Sequence, residues 1–397
     1  MGSFPPMVLA WLVLAGPIWA ALGTWQLPKH YRRRGLDDGP ARFIGGLAGL
    51  TLGPFLLLPL WVLTPDLTGR VWALGLGILA ALQFFGLFAL LNSDNLCVIN
   101  GGYVANQIAN GLTIGFIYAL MAVGLTLIYS VQGVISFAHG QLYMLGGYIA
   151  YYFLQLFADL NPIWGVPVAG LVTMLIGFLF ERSFLRPMHT GKIERPGEYG
   201  ILITFGFGFF LQYAVLAVVG PFSQKADPYL PAGSLTLGPL VLIPNRLIAA
   251  AIGAILILAL LAYLTRTWQG KALRAVSMDK QAAAVSGVNP LSMNTLAFGI
   301  GTMLAGMSGA ALIPVFTWVP WVGAPAATRS FVIIVLGGMG SVPGALVGGL
   351  IIGLVEALGA GCYPDPSKGA AYKTAFGLLI FAMVLLLKPN GLFGREE

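Results

Sequence analysis

Apolar stretches of membrane-crossing length recur along this 397-residue chain, and they leave room for one class of fold. About 20 apolar residues in helical form cross the hydrocarbon core of a bilayer. Runs of this kind occupy residues 8–25, 43–63, 71–91, 108–129, 142–157, 163–180, 201–219, 247–264, 291–313, 345–358 and 375–387. The chain is 58% hydrophobic and 9% charged, whereas a soluble domain is usually about 25% charged. In hydrocarbon every backbone polar group must be satisfied within the protein, so only helices and closed barrels cross. The period-two alternation of a barrel strand is absent. The sequence therefore predicts an all-α polytopic membrane protein with about 11 transmembrane helices.

The net charge of +7 is no sign of a nucleic-acid partner. Lys and Arg gather in short loops beside apolar runs, as the positive-inside rule expects of cytoplasmic loops. Lys29 joins Arg32, Arg33 and Arg34; Arg182 joins Arg186, Lys192 and Arg195; Arg266 joins Lys271, Arg274 and Lys280. Residues 221–244 carry only Lys225 and Asp227 and should face outward. Five runs separate the first basic cluster from the second, and an even number is required if both are cytoplasmic. Either a broken segment adds a pass or one N-terminal run does not span.

Cys97 and Cys362 are the only cysteines, with no CxxC and no neighbouring His, so a metal site or a disulfide framework is not expected. They read as two unrelated core or interfacial thiols, the alternative being a single disulfide between them. The run at 8–25 has no basic segment before it, its positive charges coming after, and reads as a retained helix rather than a cleaved signal.

Two blocks divide the chain. Residues 1–103 hold three predicted helices and little else; residues 104–397 hold the polar and glycine-rich signals. Within the second block one pattern occurs twice. Residues 136–140 (SFAHG) precede QLYMLGGYIA, and residues 337–341 (GGMGS) precede VPGALVGGLIIG. Gly146-Gly147 and Gly348-Gly349 hold matching places. Paired broken or re-entrant segments are typical of transporter folds built from two related halves, so an internal repeat is expected. The competing account is that glycine-rich helices look alike because small residues let them pack closely.

Residues 265–290 form a polar, basic stretch between two long apolar runs; from Arg266 it reads RTWQGKALRAVSMDKQAAAVSGVNP. Ala282, Ala283 and Ala284 favour helix and allow close approach. Gly287 stops that helix and Pro290 opens the next element. Lys271, Arg274, Asp279 and Lys280 supply polar contacts. The spacing of Gln281-Ala282-Ala283 and Gly287 resembles the cytoplasmic loop by which ABC-transporter permeases dock on a separate ATPase. Gln281 stands where that loop usually has an acid, which keeps hydrogen bonding and removes a charge. The plain alternative is an ordinary positive-inside loop.

The resemblance widens along the chain. NGLTIGFIYALMAVGLTLIYSVQGVISFAHGQLYMLGGY, beginning at Asn110, is similar to the opening of the branched-chain amino acid ABC transporter permeases. LRAVSMDKQAAAVSGV, FVIIVLGGMGSVPGALVGGLIIGLVE and LLLKPNGLFG continue the likeness, which covers residues 105–397. It implies an importer in which two similar permeases pair. Two cytoplasmic ATP-binding subunits and an extracytoplasmic solute-binding protein complete it, in a bacterial inner membrane. The solutes implied are branched-chain or other hydrophobic amino acids, with urea and short amides carried by close relatives. Arg274, Asp279, Gln281, Ala282, Ala283 and Gly287 would then form the ATPase-coupling loop.

Charge content agrees with this. Asp, Glu, Lys and Arg are nearly absent from the middle of the apolar runs, Glu356 being the main acidic exception. Ion-coupled transporters usually need intramembrane acids. No GxxxxGK[ST] loop occurs, since Lys271 is followed by Ala272 and Lys192 by Ile193. No cofactor is expected on this chain, ATP being bound by partners, and no enzymatic step is specified.

Polar groups at the broken segments are the candidates for a translocation pathway: Asn106, Asn110, Ser136, His139, Gln141, Gly337, Gly338 and Ser341. A helix end there would offer backbone dipoles to a zwitterion. The alternative for His139 is a hydrogen bond to a nearby backbone carbonyl that holds the break in shape. Asn106 and Asn110 could equally begin an interfacial helix. Trp318 and Trp321 suit the outer membrane interface, and Glu181-Arg182 reads as a solvated cap and ion pair. Three other classes compete, one of them a channel that would pass solute without ATPase subunits. An ion-driven transporter would depend on Glu356, so Glu356→Gln would abolish transport where the ABC reading expects a mild effect. An integral membrane enzyme would need clustered His, Asp or Glu, yet His30, His139 and His189 are far apart.

Overall fold

The computed structural model describes residues 19–21, 95–157, 159–191, 193–231, 233, 235–237, 240–387 and 390–394. The chain divides into two compact units, Met1–Gly101 and Gly102–Glu397. In the first, residues 19–21 are helical, and Leu96–Ile99 is a short helix whose cap, Asn95, accepts from the Cys97 N–H. The rest of the predicted run at 8–25, those at 43–63 and 71–91, and the cluster from Lys29 to Arg34 lie outside the described residues. Among the described residues neither cysteine is a free thiol, which corrects the expectation of two unrelated thiols.

The second unit is helical almost throughout. A long helix, α1 (Gly101–Gln132), ends in a break at 133–138, and α2 (His139–Leu156) follows. Next come α3 (Gly165–Phe180), a π-helical turn (Glu181–Leu185) and α4 (Arg186–His189), which run on as one apolar rod. The π turn has a local cause. Pro187 has no N–H to give and its ring crowds the preceding turn, and the Arg186 N–H reaches back five residues to the Glu181 carbonyl. Helix α5 (Pro196–Val219) leads to a small antiparallel hairpin, β1 (Leu235–Leu237) and β2 (Leu240–Leu242), with Thr236 opposite Val241. Helix α6 (Pro244–Arg266) returns to two short helices, α7 (Trp268–Met278) and α8 (Lys280–Val285). Then come α9 (Pro290–Leu312), α10 (Gly323–Gly337), α11 (Val342–Gly361) and α12 (Pro366–Leu387). Among the described residues six helices are long and apolar enough to cross a membrane, so the chain is a multi-pass membrane protein.

Helix α9 sits at the centre, packed chiefly on α3 and α2. Lipid tails are as apolar as leucine, so helices here gain little from burying apolar surface against each other. Close backbone approach takes over. A Cβ on Gly146 of α2 would collide with the backbone of Gly306, and one on Gly309 with the carbonyl of Tyr143. The same device joins α1 to α11, where a Cβ on Gly349 would stand 2.7 Å from the Ala119 Cα.

Two expectations fail for reasons of packing. Glu181 is fully buried, not a solvated cap, and its Oε2 accepts from the Thr295 hydroxyl at 2.5 Å. Trp318 is fully buried as well: its ring lies on Gly147 and its Nε1 donates to the Met144 carbonyl at 2.9 Å. Only Trp321, 50% exposed, retains the character of an interfacial anchor.

Gly146→Leu should force α2 off α9 and cost about 3 kcal/mol, the upper end for an overpacked core. Gly206, exposed on α5 with nothing near its Cα, is the control. Gly206→Leu should stay within about 0.5 kcal/mol of the parent. Thermal unfolding of the two variants in detergent measures the difference.

Candidate functional site

The polar loop folds as its residues dictate. Thr267 caps α7 by accepting from the Gly270 N–H at 3.0 Å. Asp279 caps α8, its Oδ1 accepting from the N–H groups of Gln281 (2.7 Å) and Ala282 (3.0 Å). An aspartate there also suits the positive end of the helix dipole. At the other end the Val288 N–H bonds to the Ala283 carbonyl and the Gly287 N–H to the Ala284 carbonyl, each at 3.0 Å. This is a Schellman closure, which needs a left-handed residue, and Gly287 has φ +86°.

Burial then sorts the predicted coupling residues. Arg274, Asp279, Gln281, Ala282 and Gly287 are exposed. Ala283 is buried, and it joins Leu273 and Val276 in the same apolar core as Leu127 and Val131 of α1. It therefore fastens the loop to the bundle, and the apolar groups left facing solvent are Trp268, Met278 and Val285, the last 91% exposed. Lys280 adds a polar latch, its Nζ donating to the Gln132 carbonyl at the end of α1 at 3.1 Å. Partial burial holds this ammonium below the usual lysine range. Gln132 in turn donates to the Asn294 carbonyl of α9 at 3.2 Å.

The broken segment at the start of α2 brings three predicted residues together. Ser136, His139 and Gln141 are all buried. His139 Nε2 lies 2.9 Å from the Met121 carbonyl, and Gln141 Nε2 donates to Gln212 Oε1 at 3.1 Å. Among the described residues Ser136 Oγ, His139 Nδ1 and Gln141 Oε1 have no hydrogen-bond partner. The second break is built differently. Gly337 packs against Gly344, Gly338 has φ +101°, and Ser341 caps α11 by accepting from the Gly344 N–H at 3.1 Å. Asn106 is tied to the hairpin, its Oδ1 accepting from the Val241 N–H at 2.7 Å; Asn110 follows one turn on, half-buried.

A fourth group went unremarked in the sequence apart from Glu356. That carboxylate is buried in α11. Its Oε1 accepts from Arg329 Nε at 3.3 Å, and its Oε2 lies 3.5 Å from Lys373 Nζ and accepts from the Tyr118 hydroxyl at 3.0 Å. The Arg329 guanidinium also lies over the Tyr118 ring, 5.3 Å from its centroid. The signal available was a lone arginine in the apolar stretch GAPAATRSFVIIVLG, since ionisable residues at membrane depth mark pathways or partners. Among the described residues no group of His, Cys, Asp or Glu is placed to hold a metal ion.

Residues 107–387 match the family described as branched-chain amino acid transport system, permease component. The high-affinity branched-chain amino acid transport system permease protein BraD of Pseudomonas aeruginosa is 34% identical over 305 residues, covering 73% of this chain and 96% of its own length. The corresponding protein LivH of Escherichia coli K12 is 32% identical over 308 residues, covering 74% and 97%. LivM of the same organism is more distant, 26% identical over 261 residues and 58% of each chain. No solved structure matches. The Glu356 cluster, both breaks and the polar loop all fall inside the matched region.

Glu356→Gln leaves two half-buried cations without their shared counter-ion. It should cost about 1–3 kcal/mol of stability, discounted from a fully buried pair because Arg329 and Lys373 retain some exposure. Thermal unfolding of the purified variant beside the parent measures it. The mild effect that an ABC importer predicts from sequence is therefore replaced by a substantial structural one, and loss of transport in this variant no longer separates ATP-driven from ion-driven uptake.

Proposed function

The chain belongs to the branched-chain amino acid transport permease family, and from that premise we propose that it carries branched-chain or other hydrophobic amino acids inward as the membrane subunit of an ATP-driven importer. It pairs with a second permease, receives solute from an extracytoplasmic binding protein and is driven by two cytoplasmic ATP-binding subunits. The membrane is the bacterial inner membrane. The chain itself hydrolyses nothing. The two breaks, though built differently, are the ends of two related halves.

The α7–α8 loop carries this reading. It presents Trp268, Met278 and Val285 to solvent as apolar knobs, the kind of surface that docks in a cleft of a partner. Its inner face is bolted to the bundle through Leu273, Val276 and Ala283, and Lys280 latches it to the end of α1. A push on the knobs is thus delivered to α1 and α9 rather than absorbed in a flexible loop. Glu356 supports the ATP-driven reading from the other side. Its oxygens are engaged by Arg329, Lys373 and Tyr118, so it is paired within the protein rather than standing alone as a coupling acid would.

Reconstituted with its ATPases and binding protein, the importer should hydrolyse ATP faster when leucine is supplied. Val285→Asp should reduce that stimulation at least tenfold, because a desolvated carboxylate in an apolar cleft is costly. Ala283→Asp, the choice that the alanine run suggests, would instead unfold the permease's own core. Uptake driven by a proton or sodium gradient with no ATPase bound overturns the proposal.

A further inference from the structure

Among the described residues the Glu356 cluster is not charge-balanced. One carboxylate is shared by two cations, Arg329 and Lys373, so the group carries a net positive charge at membrane depth. A charge held there calls for a counter-ion. Arg329 also has donors to spare. Only its Nε is engaged with Glu356, and its terminal guanidinium nitrogens make no hydrogen bond among the described residues. Its side chain is 29% exposed.

Arg329 lines a cavity of about 90 Å³ between α1, α2, α9 and α10. Arg329, Tyr118, Tyr143 and Ser330 line it together with apolar side chains that include Ile117, Met121, Ala326 and Ile333. A second cavity of about 100 Å³ lies further along the seam between α1 and α10, walled by Leu125, Tyr129, Phe137, Phe331, Val335 and Met339. Asn106 on the hairpin and Gln132 on Lys280 mark the two ends of α1. The charged cavity therefore lies near the middle of that helix and the apolar one toward the polar loop.

We propose that Arg329 binds the carboxylate of the permeating amino acid, whose apolar side chain rests on Ile117, Met121 and Ile333. The inference rests on the amino-acid importer reading and deepens it. A planar guanidinium with two free forked donors suits a carboxylate. Glu356 and Tyr118 hold it in place from behind, and the solute supplies the missing negative charge. The apolar cavity beyond accepts the solute once that contact is released. A hydrophobic amino acid fits a site with one cationic corner and greasy walls; a solute without an anionic group does not.

The test uses the whole importer carrying Ala326→Cys, a cavity-wall position, and reads the rate at which N-ethylmaleimide alkylates that thiol. Leucine should slow alkylation several-fold, and leucinol, which lacks the carboxylate, should not. Adding Arg329→Gln should abolish protection by leucine, and Arg329→Lys should restore part of it. Uptake with Arg329→Gln alone should fall about tenfold to a hundredfold, as loss of charge-assisted hydrogen bonds does. Co-purification of the ATPase subunits shows that each variant is assembled. Equal protection by leucine and leucinol, or protection by leucine that survives Arg329→Gln, overturns the assignment. Failure of leucine to enter or to stimulate ATP hydrolysis in the unsubstituted importer overturns the importer reading instead.

Discussion

The fold hangs on backbone contact around Pro290–Leu312. Gly306 and Gly309 of that helix meet Gly146 and the Tyr143 carbonyl with no side chain between them, and Gly301 meets Gly124 of α1 in the same way. In a bilayer this is the available strategy, because apolar burial does not distinguish a neighbouring helix from lipid. Three helices are thus held at the closest separation their backbones permit. The consequence is stiffness: a segment with no side-chain cushion cannot slide by small amounts, so displacements at its ends travel along its length.

Stiffness gives meaning to the two ends of α1. At one, Asn106 grips the hairpin through the Val241 N–H; at the other, the Gln132 carbonyl accepts from Lys280 of the polar loop while its side chain donates to Asn294 of α9. The loop and the central helix therefore share a hydrogen-bonded corner. Between the two ends runs the seam with α10, where both cavities lie. A movement of α1 against α10 would alter those cavities without disturbing the glycine contacts that hold α1, α2 and α9 together.

Much of this was legible in the sequence where the determining physics is local. Asp279 and Gly287 mark the start and stop of α8 because capping is read within one turn. Which face of α8 is buried was not legible. A helix of six residues is too short to show a periodicity, so Ala283 and Val285 looked alike until packing separated them. Trp318 and Trp321 posed the same difficulty: an aromatic three residues from another says nothing about which faces Gly147 and which faces the membrane. The burial of Glu181 follows from Thr295, more than a hundred residues away, and no local pattern announces it. Arg329 was missed for another reason. Its helix is 15 residues long and so escaped a count of full-length spans, although a single arginine among apolar neighbours was the most informative residue in it.

The same arginine resolves what an acid in the membrane is for. Taken alone, Glu356 suggests a coupling site, because a carboxylate at that depth must either bind an ion or pair with one. Its partners decide between these. Two cations and a tyrosyl hydroxyl already occupy its oxygens, so the acid is paired within the protein. The acid is therefore better understood as a structural partner: it lowers the cost of burying Arg329 and fixes its Nε at 3.3 Å. On the assignment proposed above, the solute's carboxylate is the anion that this cationic group receives.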